Sequence, residues 1–288
     1  MASSDIQDVK RRIKSVTGME HITNAMKLVS AAKLRKAKAI FEKSNANTRF
    51  VTASIAEVFN NATEIPSEYI EGDREIVKTA YIIVTSCRGL CGGFNSAVIK
   101  EAEREMLSDP EPPIVVAVGT KGRDYFAKRG YEIVLDYEAP PEDVSFLVVK
   151  EMCQPILEMY RKKEIDEIIL IYTSYISPLE MKVKNTTILP IRVNKSPEII
   201  RHKKEVEYEP SIEAVFNYLV PKYIEMSVFG AIVESATCEH AARRMAMENA
   251  TDNAREMLDE LSLFYNRARQ ATITNEIIEI VAGSEAQG

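Results

Sequence analysis

Two long amphipathic segments, one at each end of the chain, restrict the possible folds more than any other feature of this sequence. In residues 4–62 apolar side chains recur every three or four positions, the spacing of a coiled-coil seam; the stripe comprises Ile6, Val9, Ile13 and Val16 and continues through Met19, Ile22, Met26 and Val29. Residues 211–284 repeat the pattern, interrupted only by Pro221 and Gly230. At 1.5 Å per residue the first helix would run roughly 85 Å, and the second, from Pro221 to Ala282, roughly 90 Å. We therefore predict that the two helices wind on each other as a rod.

The central residues, 75–194, follow a different pattern. Short apolar runs, typical of buried strands, occupy residues 80–85, 114–118, 131–135, 167–173 and 182–193. Helical patterns occupy residues 96–107, 121–128 and 142–162 between them. Alternation of strands and helices predicts a parallel or mostly parallel sheet covered by helices. The predicted fold class is α/β plus a long coiled coil, in three domains: 4–62, 75–194 and 211–284.

Charge and metal-ligand residues narrow the function further. The net charge is −6, yet residues 1–44 carry ten Lys or Arg against four Asp or Glu. Such a basic strip indicates an acidic partner, which could be nucleic acid, anionic lipid or an acidic protein surface. The four cysteines lack zinc-site spacing and the three histidines are dispersed, so we predict no metal site. No stretch approaches the ~18 apolar residues of a membrane span.

Two glycine-containing turns follow predicted strands. Residues 87–95, CRGLCGGFN, stand where a phosphate-binding loop belongs, but they match neither common nucleotide motif. The alternative is a tight turn whose glycines take unusual backbone angles, with Asn95 or Ser96 capping the next helix. In the second turn, residues 119–123, Lys121 and Arg123 could bind an anion at the helix start or simply be solvated.

Three classes of function remain open on these residues: a coiled-coil protein, a nucleotide-dependent enzyme using residues 88–95, and a basic module for nucleic acid. The third is weakened because only Phe41 and Phe50 supply aromatic rings in the first 58 residues. No arrangement of residues suits acid–base chemistry, so we predict no catalytic residue. Near the carboxyl end no single buried face is left, which predicts a surrounding sleeve; the apolar residues concerned are Ile277, Ile278, Ile280 and Val281.

Several motifs, in order along nearly the whole chain, resemble the γ subunit of F-type ATP synthases. The amino-terminal signature is matched by residues 10–16 (KRRIKSV), 22–29 (ITNAMKLV) and 31–36 (AAKLRK). The central turns are matched by residues 88–95 (RGLCGGFN) and 119–123 (GTKGR). The carboxyl-terminal signature is matched by residues 239–243 (EHAAR), 249–254 (NATDNA), 265–271 (YNRARQA) and 273–276 (ITNE).

The resemblance implies a non-catalytic rotor shaft. In the family an antiparallel two-helix coiled coil stands inside an α3β3 ring, and a Rossmann-like α/β domain sits at its foot with the ε subunit and the membrane c-ring. One copy per complex, no cofactor and no nucleic acid are implied. We expect a peripheral protein on the cytoplasmic face of a bacterial plasma membrane, since no transit peptide precedes the first helix. Whether H⁺ or Na⁺ is pumped would be decided in the c-ring.

Contact residues follow from the same resemblance. Met26 and Lys27 match the helix segment that faces the β subunits. The carboxyl-terminal matches, which contact a β-subunit loop, are Arg269, Gln270, Thr272, Thr274 and Glu276. Arg88, Cys91 and the nearby glycines match a turn facing the base of the ring. Cys87 departs from the family by replacing an acidic residue, and the redox insert of chloroplast members is absent, so no thiol switch is expected.

Overall fold

A computed structural model of the chain describes residues 2–61, 69–70, 75–138, 144–177, 180–191 and 208–285. It divides into two compact units, one made of Met1–Ser30 with Arg243–Gly288 and the other of Ala31–Ala242. The elements in chain order are α1 (Ala2–Asn61), β1 (Thr79–Val84), α2 (Phe94–Met106), β2 (Ile114–Val118), α3 (Thr120–Ala127), β3 (Glu132–Tyr137), α4 (Phe146–Arg161), β4 (Glu167–Tyr175), β5 (Met181–Leu189) and α5 (Ile212–Glu285).

The sheet has the strand order β3-β2-β1-β4-β5. The first four strands are parallel, and β5 runs antiparallel to β4. The predicted mostly parallel sheet is therefore confirmed. β2 and β3 lie on one side of β1, and β4 lies on the other. The direction in which successive strands are added to the sheet therefore reverses between β1 and β4. That reversal is the topological switch point of Rossmann-like folds.

Both faces of the sheet are covered, which explains why its strands read as continuous apolar runs. On one face the even-numbered β1 residues, such as Ile82, pack with α4 and with the parts of α1 and α5 that belong to this unit. On the other face Tyr81 and Ile83 pack with α2 and α3. The β1 residues are at most 1% exposed. A three-layer α/β domain results.

The unit formed by Met1–Ser30 with Arg243–Gly288 contains the antiparallel helix pair. Thr251 Oγ1 donates to Thr23 Oγ1 at 2.9 Å, and one turn away Arg255 forms an ion pair with Glu20 at 3.1 Å. The partner residue numbers fall on α1 as they rise on α5, so the helices run in opposite directions. The antiparallel coiled coil is confirmed in this unit.

The seam of α1 differs from the predicted stripe. From Val16 to Ser44 its buried positions are seven residues apart: Val16, Thr23, Ser30, Ala37 and Ser44. Met19, Ile22 and Val29, predicted to be in the stripe, are 56, 63 and 57% exposed. Small side chains allow close helix approach, and a threonine hydroxyl is tolerated there because it bonds within its own helix, as Thr23 Oγ1 does to Met19 O at 3.0 Å. The prediction was therefore wrong for these three large apolar residues.

Candidate functional site

The turn between β1 and α2 is held by one side-chain amide. The Ser86 N–H donates to Asn95 Oδ1 at 2.9 Å, and Asn95 Nδ2 donates to Ser86 Oγ at 2.8 Å. Helix α2 begins at Phe94, and its N-cap residue Gly93 makes no side-chain cap hydrogen bond. Asn95 and Ser96 are thus not caps, contrary to prediction, because Asn95 bonds back across the turn instead.

The tip of this turn is exposed, and its backbone is unusual. Leu90 has φ of 63° and Gly92 has φ of 58°, so the left-handed region is used by one glycine and one leucine. A branched residue in that region is strained, and such strain is found at functional sites. Leu90 is 62% exposed, and Arg88 beside it is exposed too. The tip therefore presents an apolar and a basic side chain outward.

Cys91 lies in the same turn, but its side chain is turned inward. It is 2% exposed and packs in a small cluster with Phe94 and Cys238. Asn95 Nδ2 lies 3.3 Å from its Sγ. A direct side-chain contact of Cys91 with another subunit, as first expected, does not fit this burial. Its role in the turn is to fix the exposed tip.

The same cluster argues against nucleotide binding at this turn. In Rossmann-like folds ligands bind outside the carboxyl ends of the strands at the switch point. Here Phe94 follows the end of β1, and Cys238 of α5 packs against it. Cys238 Sγ also donates to the Thr173 carbonyl of β4 at 3.4 Å. Helix α5 thus covers the crevice that a nucleotide would need.

The turn at Gly119 is a structural joint. Gly119 has φ of +94°, and a Cβ there would lie 2.2 Å from the Thr85 carbonyl oxygen. The N–H groups at the start of α3 are already used: Gly122 N donates to Thr85 Oγ1 at 2.9 Å, and Lys121 N donates to Ser86 O at 3.2 Å.

The charged residue of that turn is also engaged. Arg123 pairs with Asp124 at 2.9 Å and with Asp136 at 3.2 Å, and a third ion pair joins it to Glu138. An anion at this helix start would have to compete with three carboxylates. Of the two alternatives left open for this turn, anion binding by Lys121 and Arg123 is therefore the one that the structure does not favour.

The helix residues expected to contact a ring all belong to the unit of Met1–Ser30 with Arg243–Gly288, whereas Arg88 and Cys91 belong to the other unit. Met26 and Lys27 are half-buried, while Arg269 and Gln270 are exposed. Thr272 is half-buried and Thr274 is exposed, and their hydroxyls bond to the carbonyls four residues earlier. The side chain of Glu276 lies outside the described residues.

Large apolar side chains crowd the exposed end of α5. Ile273, Ile277, Ile278, Ile280 and Val281 are between 46 and 71% exposed. Exposed apolar patches of this kind mark interaction surfaces. The prediction that this end requires a surrounding partner is consistent with their exposure.

One polar residue, Glu234, was overlooked in the sequence. It lies in an otherwise buried stretch of α5, and its Oε1 accepts from Ser174 Oγ at 2.7 Å and from the Tyr175 N–H at 2.8 Å. Burial raises the pKa of Cys238, and the nearby Glu234 carboxylate raises it further. A single carboxylate between Val233 and Ser235 in an apolar run was the available signal, since a charge there must find partners.

Among the described residues, no group of three or more His, Cys, Asp or Glu is arranged to hold a metal ion. Within the same part of the chain, no helix is at once long and apolar enough to span a bilayer. The four cysteines are free thiols, and Cys153, Cys91 and Cys238 are buried.

Comparison with known proteins is consistent with this geometry. A family model described as ATP synthase matches residues 5–287. The ATP synthase γ chain of Alkaliphilus metalliredigens is 44% identical over 285 residues, covering 98% of both chains. The sodium-ion-specific γ chain of Acetobacterium woodii is 38% identical over 301 residues, covering 99% of both chains.

Solved structures share the fold. A chain of the Euglena gracilis mitochondrial ATP synthase matches with a TM-score of 0.69 at 18% identity, covering 99% of this chain and 95% of that one. A chain of the Tetrahymena thermophila mitochondrial ATP synthase central stalk and c-ring matches with a TM-score of 0.62 at 23% identity, covering 80% and 99%. Full-length identity near 40% to named γ chains, together with the matching family model, establishes that the chain belongs to the ATP synthase γ chain family.

Proposed function

We propose that this chain is the central rotor shaft of an F1Fo ATP synthase. It couples rotation of a membrane c-ring to conformational changes in the catalytic β subunits, during ATP synthesis or hydrolysis. The observation that carries the proposal is family membership over residues 5–287, which includes both helices of the coil. A single chain inside a three-fold ring presents a different face to each β subunit, and only such differential contact can shift the sites between affinities.

The proposed ring contacts are exposed or half-buried residues of the helix pair. Arg269 and Gln270 extend outward on α5, where a guanidinium can form charge-assisted hydrogen bonds to a carboxylate. Thr272, Thr274 and Glu276 follow them along α5 as further proposed contacts. On α1, Met26 and Lys27 stand beside the exposed Ile22 and Val29, and this apolar and basic face suits an acidic loop. The apolar end of α5 suits a sleeve.

The chain itself performs no catalysis in this proposal. The loop after β1 was the one candidate nucleotide site, and Phe94 and Cys238 pack where the ligand would lie. The exposed tip of that loop, Arg88 and Leu90, instead supplies a contact with the base of the ring, with Cys91 fixing it from inside. No cofactor and no nucleic acid are required.

The remaining partners and the location follow from the family resemblance. One matching structure is of a central stalk with a c-ring, and another includes the F1 part of an ATP synthase with a c-ring; we infer that this chain likewise binds a c-ring and the F1 ring. We infer an ε subunit as a further partner and the cytoplasmic face of a bacterial plasma membrane as the location. The domains 4–62, 75–194 and 211–284 then serve as ring-facing helix, foot and ring-facing helix.

Stoichiometry tests the proposal most directly. The chain co-expressed with F-type α and β subunits should form a complex with one copy per three of each, measured by native mass spectrometry. Any other ratio would contradict a central shaft. Titration calorimetry of the isolated chain with ATP tests the enzyme alternative, and a saturable heat would favour it. A mobility shift that weakens steeply with salt would favour the nucleic-acid alternative.

A further inference from the structure

The last four residues of β4, Tyr172–Tyr175, contact α5 and α1. These four residues and their helix contacts are called the β4 clasp. Glu234 Oε1 accepts hydrogen bonds from Ser174 Oγ at 2.7 Å and from the Tyr175 N–H at 2.8 Å. Burial raises the pKa of the Tyr172 hydroxyl, and the nearby Glu234 carboxylate raises it further. Two donors of one strand end thus converge on a single carboxylate of α5, with the Tyr172 hydroxyl close by.

Two further contacts complete the clasp. One turn after Glu234, Cys238 Sγ donates to the Thr173 carbonyl at 3.4 Å. From α1, the ring of Phe41 meets the ring of Tyr175 edge-on, with centroids 6.4 Å apart. Every residue from Tyr172 to Tyr175 therefore contacts one of the two helices, and all of them belong to the unit Ala31–Ala242.

Apolar contacts also join these helices to the sheet. Val228, Ile232 and their neighbours on α5 pack into the core against the strands. Apolar packing holds surfaces together but has no preferred direction, so it resists separation better than it resists sliding. Hydrogen bonds weaken steeply when their angles are distorted. The β4 clasp therefore adds directional resistance to twisting of α5 against the sheet.

We propose that Glu234 is a positioning residue for torque: it holds α5 to the end of β4, so that the α/β domain and the coil rotate through the same angle. This inference rests on the proposed rotor function. The residue contacts no substrate; it acts by holding the strand end to the helix. A glutamine at position 234 has the same shape but only one acceptor oxygen and no charge, so it should weaken the clasp, and an alanine should remove it.

Hydrogen exchange of the full-length chain measures the clasp locally. The Tyr175 amide donates a hydrogen bond to the Glu234 carboxylate. Glu234→Ala should therefore accelerate hydrogen exchange of the Tyr175 amide about tenfold, as expected for the loss of one charge-assisted hydrogen bond. In Glu234→Gln the Tyr175 amide should exchange at a rate between those of the parent chain and of Glu234→Ala. Glu213→Gln makes the same charge change at an exposed position of α5 and should leave the Tyr175 amide unchanged. Unaltered exchange in Glu234→Ala would overturn the clasp.

Torque is then measured in the assembled complex. With the ring fixed and a bead on the α/β domain, Glu234→Ala should widen the angular fluctuations of the bead, while Glu213→Gln should match the parent chain. A merely stabilising role would lower the unfolding midpoint without widening the fluctuations, and that result would refute the proposal. Failure of the parent chain to assemble in the 1:3:3 ratio would instead refute the rotor function itself.

Discussion

The hydroxyl pair Thr23 and Thr251 gives the sharpest test of the helix pairing. Thr251 is 0% exposed and Thr23 is 8% exposed, so water cannot replace their 2.9 Å hydrogen bond. In Thr251→Val the shape is kept and the interhelical bond is lost, while the Thr23 hydroxyl still donates to Met19 O. Because no buried donor is stranded, the cost should be that of one neutral hydrogen bond, about 1 kcal/mol. Thr23→Val should cost a similar amount, because the Thr251 hydroxyl can still donate to Met247 O at 2.7 Å.

The double variant distinguishes this account from general packing effects. Once one hydroxyl is absent the second has no interhelical bond to lose, so the double variant should cost about the same as either single one, giving a coupling energy near 1 kcal/mol. The assay is hydrogen exchange of α5 amides around residue 251, which should become about fivefold faster. Thr274→Val removes an exposed hydroxyl with the same bond inside its helix and should change local stability by less than about 0.5 kcal/mol. Additive single costs would refute the reasoning.

Three further predictions follow from other parts of the chain. Gly119→Ala should cost about 2–4 kcal/mol of unfolding free energy, measured by urea denaturation, because its Cβ would lie 2.2 Å from a backbone oxygen; Gly89→Ala, with nothing within 4 Å, should be near neutral. Burial raises the pKa of the Cys153 thiol from its ordinary value of 9.0 to about 12, so between those values the unfolded chain loses the proton first and stability falls with rising pH. Because burial also raises the pKa of Cys238, Cys153→Ala should reduce that loss without abolishing it, as measured by denaturation at pH 8 and 11. In membrane vesicles Arg269→Ala should lower ion pumping per ATP hydrolysed, because a charge-assisted contact worth about 1.5–3 kcal/mol is lost; unchanged pumping would count against that contact.

The sequence predicted the elements well because each follows from local periodicity. The apolar run at residues 80–85 and the helix after it correspond to β1 and α2. The seam of α1 was predicted less well, since the spacing of large apolar residues favoured Met19 and Ile22, which are exposed. The true seven-residue spacing passes through Thr23 and Ser30. A hydroxyl that bonds to its own helix behaves as a small seam residue, and composition alone cannot show that.

Contacts between distant residues account for the other errors. Asn95 has the features of a helix cap, yet its amide bonds to Ser86, nine positions earlier. Cys91 belongs to a family motif that suggests contact, but Cys238 of α5, far along the chain, covers it. Glu234 gains its partners only when β4 is placed beside α5. Each case depends on which segments meet in three dimensions, and no local pattern carries that information.

On α1, Met19, Ile22 and Val29 face outward while small side chains form the seam. If Met19, Ile22 and Val29 formed the seam, the helix pair would be stabilised more strongly, since each buried side chain of this size contributes about 1.5–3 kcal/mol. The seam instead uses Thr23 and Ser30, and the larger residues remain more than half exposed. Exposure of this kind is unfavourable for a solitary helix pair and favourable for one that is surrounded. The chain therefore keeps apolar surface for contacts outside itself, as a shaft within a ring requires.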